Sequence, residues 1–176
     1  HLSIRRQRQM CIRDSSRGVR LGVLDVGSNT VHLVAVDAAT GGRPTPMSDW
    51  KTPLRLVEQL DKKGNIHEKG LKKLISAVGE ANELGQKLGC DEFMAFATSA
   101  VRSAPNSAEV LDEVEKQTGV RLEILSGEEE ARLTFLAVRR WYGWSAGRIT
   151  NLDIGGGSLE PVSYTHLRAH ETDSYL

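Results

Sequence analysis

The chain carries one short pattern twice, and that repetition limits what it can fold into. Near the start it reads Leu24-Asp25-Val26-Gly27-Ser28-Asn29-Thr30, and near the other end Leu152-Asp153-Ile154-Gly155-Gly156-Gly157-Ser158. Both copies run apolar, Asp, apolar, Gly, two small residues, hydroxyl. In each, a strand delivers an Asp and then breaks into a tight glycine-bearing turn. Glycine allows the backbone to approach a ligand closely, so that successive N–H groups can face phosphate oxygens. The hydroxyls add donors, and an Asp at a strand end suits a divalent cation. A single copy would read as an ordinary turn, since Asp and Gly are turn residues anyway. Two copies on matched strands favour a duplicated phosphate site.

Composition removes several alternatives. The 176 residues suit one ordinary domain with a real core, and 23 basic residues balance 23 acidic ones. Nothing global therefore points to nucleic acid or an anionic membrane. No apolar run approaches the ~18 residues of a membrane helix. Cys11 and Cys90 make neither a disulfide framework nor a metal site, so a reducing, cytoplasmic setting is the expectation.

The ends differ from the middle. Residues 1–17 hold Arg5, Arg6, Arg8, Arg13 and Arg17 against the single acid Asp14, and lack the apolar stretch of a secretory signal. Such a leader suits a transit peptide. Residues 9–15 and 162–172, however, resemble translated sequencing-adapter read-through, which makes about residues 18–160 the expected native part. A start codon upstream in the genomic locus, in frame with residues 1–17, would overturn that expectation.

Between these ends, strands and helices alternate. Val19–Val26 and Val31–Val36 read as an antiparallel hairpin, with a turn at Thr40-Gly41-Gly42 and a third, edge-tolerant strand running to Leu56 through Pro44, Pro46 and Pro53. His32 lies in the second strand without a partner spaced to join it, and receives no role. Residues 61–65 form a polar loop. From Glu68 to Leu88, apolar residues at helical spacing predict a core-facing helix closed by Gly89. Phe93–Ala97 is a strand running into Thr98-Ser99-Ala100-Val101-Arg102, which offers hydroxyls and a forked cation to a phosphate. Asn106-Ser107-Ala108-Glu109 reads as a capping box opening a helix that turns Val110, Leu111 and Val114 inward and stops at Gly119. Leu122–Leu125 is a strand, and Ser126 with Glu129 a second capping box.

The helix after Ser126 begins Glu128-Glu129-Glu130. Acids in a first helical turn are favoured by ~0.3–1 kcal/mol each, which accounts for two carboxylates without requiring three. A carboxylate at a helix start following a strand can orient and deprotonate a water. This helix is apolar on more than one face and is expected to be largely buried. Arg148–Ile154 is the last strand, and after Glu160 the pattern dissolves.

These residues together resemble the Ppx/GppA family of exopolyphosphatases and guanosine pentaphosphate phosphohydrolases, and the actinobacterial exopolyphosphatase branch in particular. The likeness runs from about Arg20 to Glu160. It is carried by the two Asp-Gly turns, by Ala97-Thr98-Ser99-Ala100-Val101-Arg102, by Ser126-Gly127-Glu128-Glu129-Glu130-Ala131-Arg132-Leu133 and by Ser158-Leu159-Glu160. The resemblance implies an α/β, actin-like ATPase (ribonuclease H-like) fold with a mixed sheet and an N-terminal β-hairpin phosphate loop. Residues 18–147 would form the first half and 148–160 the start of a truncated second half, with 1–17 and 161–176 as leader and tail. It implies Mg²⁺-dependent hydrolysis of terminal phosphoanhydrides of polyphosphate, or of guanosine pentaphosphate, and homodimers among full-length members.

By the same likeness Glu130 is the catalytic base, and Asp25, Asp153 and Glu160 are the metal-associated acids. Gly27, Ser28, Asn29, Thr30, Arg102, Gly155, Gly156, Gly157 and Ser158 bind phosphate. A chain with so little of the second half is expected to be inactive or nearly so, with an uncovered apolar flank at Trp141, Tyr142 and Trp144. An inert or merely polyphosphate- or nucleotide-binding fragment is the alternative. Sugar kinases share the fold, but their turns do not come with this acidic helix start. A Rossmann dehydrogenase fits less well, because Gly155-Gly156-Gly157 is followed by Ser-Leu-Glu, and no P-loop sequence occurs.

Overall fold

A computed structural model describes residues 18–39, 44–143, 145, 147–154 and 159–164, with the backbone alone for 153, 154 and 159–164. The turn at residues 40–42, Cys11, Trp144 and the glycine turn 155–158 lie outside the described residues.

Strand β1 (Val19–Val26) returns through a tight turn as β2 (Thr30–Ala38), and β3 (Thr45–Pro53) continues the antiparallel meander. Alternation explains the hairpin. Leu24 and Val26 face Leu33 and Val31 across the register, and all four are buried. The proline-bearing β3 sits at the sheet edge, where a missing N–H leaves no ladder bond broken. Helix α1 (Glu68–Lys87) then crosses to β4 (Glu92–Ala97), which pairs parallel to β1. The short α2 (Ser99–Ser103) and α3 (Ser107–Thr118) lead to β5 (Glu123–Ile124), which is parallel to β4. The sheet order is β3-β2-β1-β4-β5, an α/β arrangement with a mixed sheet.

Leu74, Ala77, Val78 and Ala81 of α1 and Val110 and Val114 of α3 close over the buried face of the sheet, forming one core with Leu24, Val26, Val31 and Leu33. Gly89 and Gly119 end α1 and α3 at φ +70 and +71. Among the described residues no helix is long and apolar enough to cross a membrane.

The chain goes on through α4 (Gly127–Tyr142) to a separate two-stranded antiparallel hairpin, β6 (Ile149–Ile154) and β7 (Leu159–Tyr164), which lies against α4. Strand pairing thus continues four residues past Glu160, where periodicity alone had faded.

Three expectations change in detail. Asn106 does not cap α3 through its side chain. Its Oδ1 accepts the Ile66 N–H at 2.9 Å and its Nδ2 donates to Ile66 O at 3.1 Å, so it fastens the loop before α1 instead. Helix α4 is not largely buried: among its described residues only Phe135 and Arg139, one turn apart, are fully buried, with the guanidinium 5.9 Å from the ring centroid. Leu133, Trp141 and Tyr142 on its other faces are exposed, which agrees with the flank anticipated there. Finally, β5 has two residues where the apolar run offered four.

Candidate functional site at the carboxyl edge of the sheet

The parallel strands β1, β4 and β5 all end at one edge of the sheet, the edge where α/β folds place ligands. The Gly27–Thr30 turn stands there. Gly27 N–H donates to Thr30 O at 2.9 Å and closes it. From behind, the N–H groups of Leu54 and Arg55 both donate to Asn29 O, at 2.8 and 3.0 Å, and that of Leu56 donates to Ser28 O at 2.7 Å. Leu54 and Leu56 are buried and fix this backing segment in the core. No peptide among the described residues is cis, and in a trans unit the N–H lies opposite the preceding C=O. The amides of Asn29 and Thr30 therefore point away from residues 54–56. Their direction is set before any ligand arrives.

The neighbouring strand end is stitched to this turn. Thr98 donates from both its N–H (3.1 Å) and its hydroxyl (3.4 Å) to Val26 O. Ser28 is buried, and its Oγ lies 2.9 Å from Ser99 Oγ. In the sequence Ser99 is one of two hydroxyls offered to a phosphate at the end of β4. Its contact with Ser28, a residue far away along the chain, belongs to the fold.

One turn further along α2, Arg102 Nη1 donates to Leu125 O at 2.7 Å and to Glu130 Oε2 at 2.9 Å, with both side chains mostly shielded from solvent. The three acids opening α4 are thereby separated. Glu129 belongs to the capping box: its Oε2 accepts the Ser126 N–H at 2.9 Å and the Ser126 hydroxyl at 2.7 Å, while Ser126 Oγ accepts the Glu129 N–H at 3.2 Å. The bonds from the Ser126 backbone and hydroxyl hold the Glu129 carboxyl below the usual carboxylate range. Glu128 is exposed, and Glu130 alone turns to Arg102.

The two hairpins share a register. Asp25, exposed at the end of β1, stands opposite His32, and Asp153 stands opposite Glu160 at the same spacing. Val26↔Val31 and Ile154↔Leu159 close the two turns alike. Gly155, Gly156, Gly157 and Ser158 lie outside the described residues, as do the side chains of Asp153 and Glu160. Among the described residues no three His, Cys, Asp or Glu side chains gather, and Asp25 is the one expected metal-associated acid whose side chain is described. The donor set itself, three carboxylates, fits a hard divalent cation such as Mg²⁺. His32 Nε2 lies 3.1 Å from Asp49 Oδ1 on β3, a partly exposed pair, and has no part in the Arg102–Glu130 contact.

The chain is 66% identical over 145 residues to Exopolyphosphatase 1 of Mycobacterium tuberculosis and 64% identical over 142 residues to that of Mycobacterium leprae. These matches cover 82% and 81% of this chain, and the chain spans 42% of the length of each relative. Among solved structures, the Ppx/GppA family member of Aquifex aeolicus superposes with a TM-score of 0.70 at 24% identity, over 90% of this chain and 55% of that one. An exopolyphosphatase from Cytophaga hutchinsonii gives 0.72 at 24%, over 89% and 53%. These likenesses establish the actin-like fold that the family resemblance implies. Residues 34–174 match the Ppx/GppA phosphatase family. With that match, the relatives and the fold in agreement, the chain belongs to the Ppx/GppA phosphatase family.

Proposed function

We propose that the full gene product carrying this chain is an exopolyphosphatase, which hydrolyses the terminal phosphoanhydride of inorganic polyphosphate and releases orthophosphate. The observation that carries the reading is the Arg102–Glu130 contact, joined through α2 and the Ser99–Ser28 hydroxyl pair to a turn whose Asn29 and Thr30 amides point away from its backing segment. A carboxylate beside a preorganised phosphate cradle is what attack by water on phosphorus requires.

In this reading Gly27, Ser28, Asn29 and Thr30, with Gly155, Gly156, Gly157 and Ser158 of the second turn, hold the terminal phosphate through backbone N–H groups and hydroxyls. Arg102 offsets charge on the equatorial oxygens. Glu130 accepts a proton as water attacks the terminal phosphorus, the bridging P–O bond breaks, and its electron pair stays on the shortened chain. Asp25, Asp153 and Glu160 would hold Mg²⁺, which when bound supplies charge neutralisation for the anhydride oxygens. The names of the mycobacterial relatives favour polyphosphate over guanosine pentaphosphate. The balanced charge and the cysteine usage support a cytoplasmic setting.

The test is phosphate release by the full gene product, with Mg²⁺, from linear polyphosphate and from guanosine pentaphosphate in parallel. Faster turnover of polyphosphate supports the proposal. Release from neither substrate overturns it, and release from guanosine pentaphosphate alone reassigns the substrate.

A further inference from the structure

We propose that Ser99 is a positioning residue for the hydrolysis, setting through Ser28 the distance between the phosphate turn and the Arg102–Glu130 pair. This rests on the exopolyphosphatase reading above. Ser28 lies inside the Gly27–Thr30 turn and is 6% exposed, and a hydroxyl so buried is costly without a hydrogen-bond partner. Its partner is the Ser99 hydroxyl, 2.9 Å away, and either oxygen can donate. The Ser28 carbonyl is held separately, by the Leu56 N–H at 2.7 Å. One residue of the turn is thus fixed twice, from the core segment by its backbone and from α2 by its side chain.

Ser99 and Arg102 stand three residues apart on α2, which puts them on one face of it. Buried Val101 seats this helix in the core, and the Arg102 N–H donates to Thr98 O at 3.0 Å, closing its turn. From that face Ser99 meets the phosphate turn and Arg102 meets Glu130 at 2.9 Å. Thr98, by contrast, ties the end of β4 to Val26 O and does not reach into the turn. A general base works when the attacking water and the phosphorus are aligned, and a misplacement of about 1 Å can cost ~10²-fold. Without the Ser99 hydroxyl the buried Ser28 oxygen loses its partner, and the turn can shift relative to α2 while its amides still hold phosphate. The loss therefore falls on kcat rather than on KM.

The experiment compares Ser99→Ala and Ser99→Thr with wild type in the full gene product, on linear polyphosphate, or on guanosine pentaphosphate if that alone is hydrolysed. Ser99→Ala should lower kcat about tenfold and leave KM within about twofold. Ser99→Thr keeps the hydroxyl and should restore most of kcat. Its methyl has room in a cavity of about 340 Å³ beside the pair, lined also by Val57, Leu60 and Ala100. Adding Ser28→Ala to Ser99→Ala should cost little more, because the bond between them is already gone. An unchanged kcat, a loss confined to KM, or a Ser99→Thr as slow as Ser99→Ala overturns the proposal, as do fully multiplied losses in the double variant. If phosphate is released from neither substrate, the exopolyphosphatase reading fails, and Ser99 is judged by hydrogen exchange of the Leu56 amide, the one bonded to Ser28 O. Exchange about fivefold faster in Ser99→Ala, the scale of one hydrogen bond, supports its hold on the turn, and equal exchange overturns it.

Discussion

Arg102 Nη1 lies 2.9 Å from Glu130 Oε2 and 2.7 Å from Leu125 O, so one nitrogen joins α2 to the β5–α4 junction and fixes the carboxylate that opens α4. Glu130→Gln in the full gene product is predicted to lower kcat by at least ~10²-fold, the scale of a lost general base. Near-wild-type turnover would remove Glu130 from that role. If Arg102 acts on the rate partly by holding Glu130, Arg102→Gln should cost much less kcat in a Glu130→Gln background than in wild type. Equal factors in both backgrounds would leave Arg102 as a phosphate ligand only.

Chelation offers a separate check on the three acids. Hydrolysis by the full gene product is expected to stop in excess EDTA and to return with added Mg²⁺. Asp25→Asn should shift the Mg²⁺ requirement to higher concentration, since an amide is a weaker ligand than a carboxylate for a hard cation. Activity indifferent to EDTA would count against all three acids as ligands.

Ser126 and Glu129 predict an acid-sensitive helix start. The Glu129 carboxyl is held low in the folded chain by its bonds from Ser126, so the stabilisation is present above the unfolded value of about 4.3. It is lost as pH falls through the lower, folded value. Ser126→Ala removes the two hydroxyl bonds, keeps the backbone one, and should cost about 1 kcal/mol at neutral pH, the usual worth of an N-cap. Its melting temperature should fall less steeply than that of wild type below about pH 4.3. Parallel acid curves for the two proteins would show that the Ser126 hydroxyl has no share in holding the Glu129 carboxyl low.

Two glycines of α1 should respond in opposite directions. A Cβ on Gly85 would meet Phe93 Cε2 at 2.7 Å, whereas on Gly79 the nearest atom is Thr118 Cγ2 at 4.0 Å. Alanine gains up to ~1 kcal/mol of helix propensity at either site. At Gly85 that gain is outweighed by ~1–3 kcal/mol of overpacking. Chemical denaturation should therefore find Gly79→Ala stabilised and Gly85→Ala destabilised. A stabilised Gly85→Ala would mean that Phe93 moves aside at little cost.

Much of this was legible in the sequence because it is local. Apolar alternation specified the β1–β2 hairpin, helical spacing specified α1, and the Ser126–Glu129 spacing specified a capping box that forms as read. The doubled Asp-Gly turn was legible for the same reason, and both hairpins close in the same register. Local spacing makes Asn106 a cap of α3, but its partner Ile66 is remote in sequence and no local rule can choose it over the helix. Apolar residues ring α4, yet burial depends on what packs there, and among the described residues one stripe through Phe135 and Arg139 is fully buried.

By itself, then, the sequence determined the β1–β2 hairpin with its turn, helix α1 and the capping box that opens α4, since backbone preference and side-chain type act over a few residues. Only the tertiary structure decided which groups meet. Parallel pairing of β1, β4 and β5 carries their ends to one edge. There Ser28 finds Ser99, Arg102 finds Glu130, and Leu54–Leu56 lock the carbonyls of the Gly27–Thr30 turn. These contacts join residues far apart along the chain, and each exists because the packed core holds both partners in place at once.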